Sequence, residues 1–263
     1  MRHEGAPTLE WDAERRFGGL RRLHGDAAYA RIRAARVAVI GLGGVGSWAA
    51  EALARSGVAA LVLIDLDHVA ESNINRQVQA LGSTLGMAKA VALRDRVHDI
   101  HPGCEVAIVE EFASADNWPG LLRGVAVDVV IDACDQPRAK VTVAAWALAS
   151  ATPLVVVGAA GGKRLPQAVA VADLSEATHD PLLASMRQRL RRDHAAPRTG
   201  ALGLACVFSR EPVHRPAADP VDDCAIDGSL NCHGYGSSVT VTATFGMVAA
   251  SLALQRVTEA GPI

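Results

Sequence analysis

Arg36-Val37-Ala38-Val39-Ile40-Gly41-Leu42-Gly43-Gly44-Val45-Gly46 is the stretch that decides how this chain is read. An apolar run of strand length passes without a break into closely spaced glycines, and the alanine-rich segment Ser47 to Arg55 follows as a helix. That order of strand, glycine loop and helix marks a nucleotide-phosphate loop. Gly41 suits the positive φ of a tight turn, Gly43 the close approach of a phosphate to the backbone, and Gly46 the close packing of helix on strand. The helix start then faces an anion with unpaired N–H groups and the positive end of its dipole. Further strands are expected at Ala60 to Ile64, Val127 to Asp132, Pro153 to Gly158 and Gln167 to Ala172, with a helix over Asp180 to Asp193. Strands alternating with helices predict an α/β fold of Rossmann type, a mostly parallel sheet with helices on both faces.

Asp65 ends the second strand, 24 positions beyond Gly41, about where a Rossmann unit presents an acid to a ribose hydroxyl. Glycines and Asp65 alone fit NAD or FAD as well as ATP. The polar groups downstream change the balance: Asp65-Leu66-Asp67, Asn73-Ile74-Asn75-Arg76-Gln77 and Gly86-Met87-Ala88-Lys89. A hydride-transfer site has no need of them, whereas an adenylating site does. Attack of a carboxylate on the α-phosphate of ATP builds negative charge on phosphoryl oxygens, which Arg, Lys and Mg²⁺ stabilise. Arg76 and Lys89 are the candidates for that positive charge. Of 26 basic residues only Lys89, Lys140 and Lys163 are lysines, so each stands out. The plainer alternative for Lys89 is a solvated residue in the first turn of a helix.

The strand ending at Asp132 runs into Ala133-Cys134-Asp135, and the carboxyl ends of parallel strands are where such sheets bind ligands. Asp135 is the candidate Mg²⁺ ligand, because Mg²⁺ on ATP takes one or two protein carboxylates and keeps several waters. Alternatively it caps a helix beginning near Pro137. Asp132 is the weaker candidate and can simply satisfy backbone groups at the strand end.

Together the glycine loop, Asp65-x-Asp67, Ser72-Asn73-Ile74-Asn75-Arg76-Gln77, Gly86-Met87-Ala88-Lys89 and Asp132-Ala133-Cys134-Asp135 resemble the E1-like activating enzymes, which adenylate carboxylates. A narrower resemblance, to the tRNA threonylcarbamoyladenosine dehydratases within that superfamily, covers about Arg15 to Gln255. Arg16-Phe17-Gly18-Gly19-Leu20, the segment 46–57, Asp180-Pro181-Leu182, Cys206-Val207-Phe208-Ser209 and Val241-Thr242-Ala243-Thr244-Phe245-Gly246 carry it. The resemblance implies an E1-type fold with a C-terminal crossover region and an ATP site of Gly41, Gly43, Gly44, Gly46, Asp65, Asn73, Arg76, Gln77, Lys89 and Asp135. Asp67 completes the candidate set. It further implies that ATP activates the carboxylate of the threonylcarbamoyl side chain on adenosine 37 of tRNA, and that departure of AMP lets the side chain close into a ring. A homodimer and contact with a cysteine desulfurase system are implied as well. Two departures from related activators are visible. Cys104, Cys134, Cys206, Cys224 and Cys232 contain no Cys-x-x-Cys pair, so a four-thiolate zinc is not expected. Gly19 stands where several sulfur-carrier activators place an Arg that reaches across a dimer; Arg21 or Arg22 is a possible substitute.

At 263 residues and 50% hydrophobic content the chain can bury one large core, and a single domain over 1–263 is expected. Its nucleotide-binding core covers about 36–160, and a C-terminal part, 161–263, holds a basic segment, a long loop and a final helix. Five cysteines without a leading signal segment suit a reducing cytoplasm. Cys104 and Cys134 read as small buried hydrophobes, while Cys224 and Cys232, in a polar loop, are candidates for reactive thiols. Val239 to Leu254 is too short and too rich in Thr to span a membrane and reads as a buried helix. Trp48 and Trp146 read as core. His214 and His233 are given no role.

Arg187, Arg189, Arg191 and Arg192, with His194 and Arg198, form a basic cluster in a chain whose net charge is only −2. That is the footprint phosphate-backbone binding needs, for which the resemblance supplies tRNA, although a solvated helix face looks the same. A second cluster, Arg15, Arg16, Arg21, Arg22, Arg31, Arg33 and Arg36, precedes the first strand. The leading reading is therefore an ATP- and Mg²⁺-dependent enzyme acting on tRNA. Adenylation of the C-terminal Gly-Gly of a sulfur carrier is the alternative within activating enzymes. A nicotinamide or flavin oxidoreductase leaves Arg76, Lys89 and Asp135 without a joint purpose.

Overall fold

The computed structural model describes residues 11–214 and 235–259. Its strands are β1 (Arg36–Ile40), β2 (Ala60–Ile64), β3 (Glu105–Val109), β4 (Val129–Asp132), β5 (Leu154–Val157), β6 (Val169–Asp173) and β7 (Ala205–Ser209). They form one sheet in the order β3-β2-β1-β4-β5-β7-β6, parallel throughout except for β6, which pairs antiparallel with β7 at the edge. The chain winds outward from β1 in one direction and from β4 in the other. β1 and β4 are therefore the switch point of the sheet, and the crevice beyond their carboxyl ends is where such folds bind ligands. The glycine loop leaves one of these strands and Ala133-Cys134-Asp135 the other.

Because helices cover both faces, the central strands are apolar on both sides instead of alternating. On one face Val37, Val39, Leu61, Leu63, Val129, Ile131 and Val155 pack against α3 (Gly46–Arg55), α4 (Lys89–Ile100) and α7 (Val239–Glu259). On the other face Ala38, Ile40, Val62, Ile64, Val130, Val156, Cys206 and Phe208 pack against α5 (Pro137–Ser150) and α6 (Pro181–Asp193). The apolar stretch at the end of the chain is thus a core helix: α7 buries Val241, Phe245, Ala249 and Ala253. Gly246 lets it lie on α3, since a β-carbon there would come within 2.8 Å of the Trp48 Cβ. No helix among the described residues is long and apolar enough to cross a membrane. Asp180 precedes α6 as its N-cap and accepts the Leu183 N–H at 3.0 Å.

Two helices that the sequence reading did not anticipate, α1 (Ala13–His24) and α2 (Asp26–Ala34), lead into β1. They absorb much of the first arginine cluster. Arg16 donates to the carbonyls of Asp99 and Ile100, the unpaired end of α4. Arg21 pairs with Glu14 at 2.8 Å, and Arg31 donates to the Thr258 carbonyl at 2.6 Å. Arg33 lies over the Phe17 ring, donates to the Gly57 carbonyl and stands 3.1 Å from His101 Nε2.

His101 is buried between Trp11 and Phe17, with ring centroids 5.5 and 4.7 Å away. Burial, reinforced by the charges of Arg33 and Arg16, holds its pKa down to about 4. The folded protein therefore keeps this imidazole neutral, whereas the unfolded chain protonates it near the usual value of about 6.5. Its contribution to stability is present above about pH 6.5 and is lost as the pH falls toward 4. Melting temperatures recorded across that window should fall with acidification more steeply in the parent than in His101→Phe. Equal slopes would show that His101 does not titrate on unfolding.

Candidate active site

A cleft of about 400 Å³ opens at the carboxyl ends of β1, β2, β4 and β5. Its floor is the glycine loop. Gly41 has φ +81°, and a β-carbon on it would lie 2.8 Å from the backbone N and Cα of Cys134. A β-carbon on Gly46 would fall onto the Gly41 carbonyl oxygen, so only glycine lets α3 begin here. Gly43 borders the cleft, and its β-carbon position meets no protein atom within 4 Å, which leaves that space to a ligand. Gly44 lies against Thr242 and Arg76.

Asp65 ties the loop to the end of β2. One carboxylate oxygen accepts the Leu42 N–H at 2.6 Å and the other the Asp67 N–H at 2.8 Å. Burial raises its pKa, opposed by the nearby Lys89 and by those two N–H donors. Lys89 opens α4 and is buried, and its ammonium meets the Asp67 carboxylate at 2.7 Å. It is not the solvated first-turn residue of the plainer alternative. Arg76 donates to the Ser72 carbonyl at 2.8 Å and to the Asn75 side chain at 2.9 Å. Burial lowers its pKa, yet a guanidinium stays charged at neutral pH. Its backbone carbonyl accepts the Trp48 indole N–H at 2.9 Å, so Trp48 anchors the Arg76 loop.

Asp135 borders the cleft, half-buried, and burial raises its pKa against the opposing charges of Lys140 and Lys89. It does not cap α5: Gln136 holds the cap position, and no side chain caps that helix. Asp132 is fully buried and paired with Lys140, so it takes the structural role considered for it. Gly41, Gly43, Gly44, Asp65, Asp67, Arg76, Gln77, Lys89 and Asp135 thus share one cleft. Gly46 and Asn73 do not border it. Asn73 is buried and its side chain accepts the Ala70 N–H at 3.1 Å, which shapes the turn leading to Arg76.

A family model, that of the ThiF family, matches residues 16–263. The chain belongs to the ThiF family. This ThiF-family chain is 42% identical to the tRNA threonylcarbamoyladenosine dehydratase of Escherichia coli over 92% of both chains. It is 37% identical to the enzyme of the same name from Bacillus subtilis over 68% of both. Its fold matches the crystal structure of the Escherichia coli enzyme in complex with ATP at a TM-score of 0.84, with 40% identity over 95% of this chain and 97% of that one. The same enzyme in complex with AMP also matches at 0.84, with 39% identity over 96% and 98%.

Sequence reasoning missed several parts of this ThiF-family cleft. Phe112 and Ala113 border it from the end of β3, and Gly158 to Gly161 from the end of β5. Pro181 and Leu182 border it from the start of α6, with Val213, Tyr235 and Thr242 completing the wall. The segments Asp180-Pro181-Leu182 and Val241 to Gly246, which carry the family resemblance, were the visible signals. No group of three or more His, Cys, Asp or Glu side chains is placed to hold a metal ion among the described residues. A divalent ion here would draw on Asp135 and on phosphate oxygens, a donor set that suits Mg²⁺. Cys134 also borders the cleft, but burial and the Asp132 carboxylate hold its thiol protonated. Cys104 and Cys206 are buried and free; Cys224, Cys232 and His233 lie outside the described residues.

The basic segment sits on α6, whose first turn borders the cleft. Leu182 and Arg191 are about 14 Å apart along the helix axis. Arg187 is half-buried and donates to the carbonyls of Leu174 and Ala177, both at 2.9 Å, so one of its guanidinium nitrogens is bound to the fold. Arg191 donates to the Pro197 carbonyl at 3.0 Å, and Arg192 pairs with Asp193 at 2.7 Å. Arg189 is half-buried.

Proposed function

We propose that this protein is an ATP-dependent tRNA threonylcarbamoyladenosine dehydratase. The observation that carries the reading is the convergence of Lys89, Arg76 and Asp135 on one cleft with the phosphate loop, a set of charges that nucleotide binding alone does not require. Loop N–H groups and the start of α3 receive the phosphates of ATP, and Asp65 accepts from the ribose. Mg²⁺ held by Asp135 neutralises phosphate charge when bound. Lys89 and Arg76 stabilise the charge that grows as the threonylcarbamoyl carboxylate attacks the α-phosphorus and pyrophosphate leaves. The side chain then closes on its own activated carbonyl carbon, breaking the bond to AMP. Because the nucleophile belongs to the substrate, no enzyme thiol is needed, which fits the protonated Cys134. The proposed setting is a reducing cytoplasm, which suits the five cysteines; a homodimer and a cysteine desulfurase system as a further contact rest on the family resemblance.

Mass spectrometry of adenosine-37 nucleosides, after incubation of the purified protein with threonylcarbamoylated tRNA, ATP and Mg²⁺, should show the loss of one water. Unchanged nucleoside beside adenylation of a sulfur carrier's Gly-Gly terminus would transfer the chain to the alternative. For the tRNA itself, Arg189, Arg191 and Arg192 are the proposed phosphate contacts. Neutralising all three should weaken tRNA binding and reduce its salt slope by about 1 for each phosphate no longer neutralised, with ATP affinity unchanged. Filter binding across a salt series measures this, and a parental slope would return the segment to the role of a solvated helix face.

A further inference from the structure

All three lysines of the chain are buried, and the mechanism above uses only Lys89. Lys140 lies in the first turn of α5, fully buried. Its ammonium donates to the Asp132 main-chain carbonyl at 2.9 Å and meets Oδ1 of the same residue at 3.2 Å. That oxygen also accepts the Cys134 N–H at 3.1 Å. Lys140 therefore grips both the backbone and the side chain of the residue where β4 ends. On its other side the turn rests on Gly41, with no room for a β-carbon between them. Asp135 is the next residue after this clamped stretch. Since no side chain caps α5, the junction of β4 with the helix is secured from below by Lys140.

Stability alone accounts poorly for such a pair. Desolvating two charges offsets most of their attraction, and apolar side chains of similar volume serve a core as well or better. What an ion pair adds is a fixed register for the backbone it holds. We infer that Lys140 is a positioning residue, clamping the 132–135 turn against the phosphate loop so that Asp135 enters the cleft where the metal-bound phosphates of ATP lie. The inference rests on the reading of Asp135 as the Mg²⁺ ligand.

Lys140→Met alone strands the Asp132 charge in the core, so the informative protein is the neutral pair Asp132→Asn with Lys140→Met, its fold checked by circular dichroism and melting. Calorimetry of ATP binding, once in EDTA and once across a Mg²⁺ series, reads the metal-dependent gain in affinity apart from turnover. The pair variant should match the parent in EDTA and lose about tenfold or more of the Mg²⁺ gain, an effect of the size that loss of support around a metal ligand produces. A folded variant with the parental gain overturns the inference. If the pair variant does not fold, Asp132→Asn with Lys140→Leu, which likewise removes the donor to the Asp132 carbonyl, takes its place in the same titrations, and a parental gain there overturns the inference equally. Asp135→Asn is measured in parallel. Full retention of the Mg²⁺ gain there overturns the Asp135 reading and this inference together. Loss of the gain there, with retention in the pair variant, overturns the role of Lys140 alone.

Discussion

Lys89→Ala is expected to lower ATP-dependent AMP formation by about a hundred-fold or more, the size of loss that follows removal of a group aimed at transition-state charge. The fold should survive, because the two partners of its ion pair are unequally buried. The Lys89 side chain is 8% exposed and that of Asp67 54%, so an unpaired Asp67 turns to solvent. Removing the buried partner of this pair therefore leaves no unpaired charge in the core, the situation that makes breaking a buried pair costly. Two further contacts hold α4 in the variant: the Lys89 N–H bond to the Asp67 carbonyl at 2.9 Å, and Arg16 at the opposite end of the helix. Release of AMP with threonylcarbamoylated tRNA, measured beside a melting curve, is the test. Near-parental turnover in a folded protein would remove Lys89 from the site.

Gly46→Ala should abolish measurable ATP binding for a different reason. The added methyl occupies the position of the Gly41 carbonyl oxygen, so loop and helix cannot both keep their places. Gly41 has no retreat, since its own positive φ and the Cys134 backbone fix it from the other side. Gly43→Ala is the control for shape. Its methyl meets no protein atom within 4 Å, so the loop keeps its path and only the space for the nucleotide is reduced. Calorimetry with ATP, and circular dichroism to confirm the sheet, separate the two. Parental affinity in Gly46→Ala would mean that the loop is not the nucleotide floor.

β1, β2 and α3 were legible because the apolar run, the glycines and the alanine-rich helix follow one another without interruption. Asp180-Pro181 marked the start of α6 through its cap chemistry. β7 was not legible. Ala205–Ser209 is a four-residue apolar run closed by a buried serine, and periodicity cannot tell such a run from part of a buried helix. Only its place between β5 and the antiparallel β6 makes it a strand. Within the cleft, residue types at motif spacing brought Arg76, Lys89 and Asp135 forward, but the division of labour around them depends on contacts distant in sequence. Asn73 turning inward, Trp48 holding the Arg76 carbonyl and Arg187 bonding to the Leu174 and Ala177 carbonyls all belong to that class.

A mixed anhydride of a carboxylate with AMP acylates any unprotonated amine it meets, and an enzyme that makes one is itself within reach. Arginine is a poor trap, because its guanidinium keeps its proton to beyond about pH 12. In this chain Lys140 and Lys163 are sealed from solvent, and Lys89 is held against a carboxylate at 2.7 Å. Surface cations are therefore arginines, and no lysine amine waits outside the cleft for a reactive acyl group that escapes. Water is left as the ordinary fate of such an escape, which regenerates the starting acid and leaves the protein unmodified.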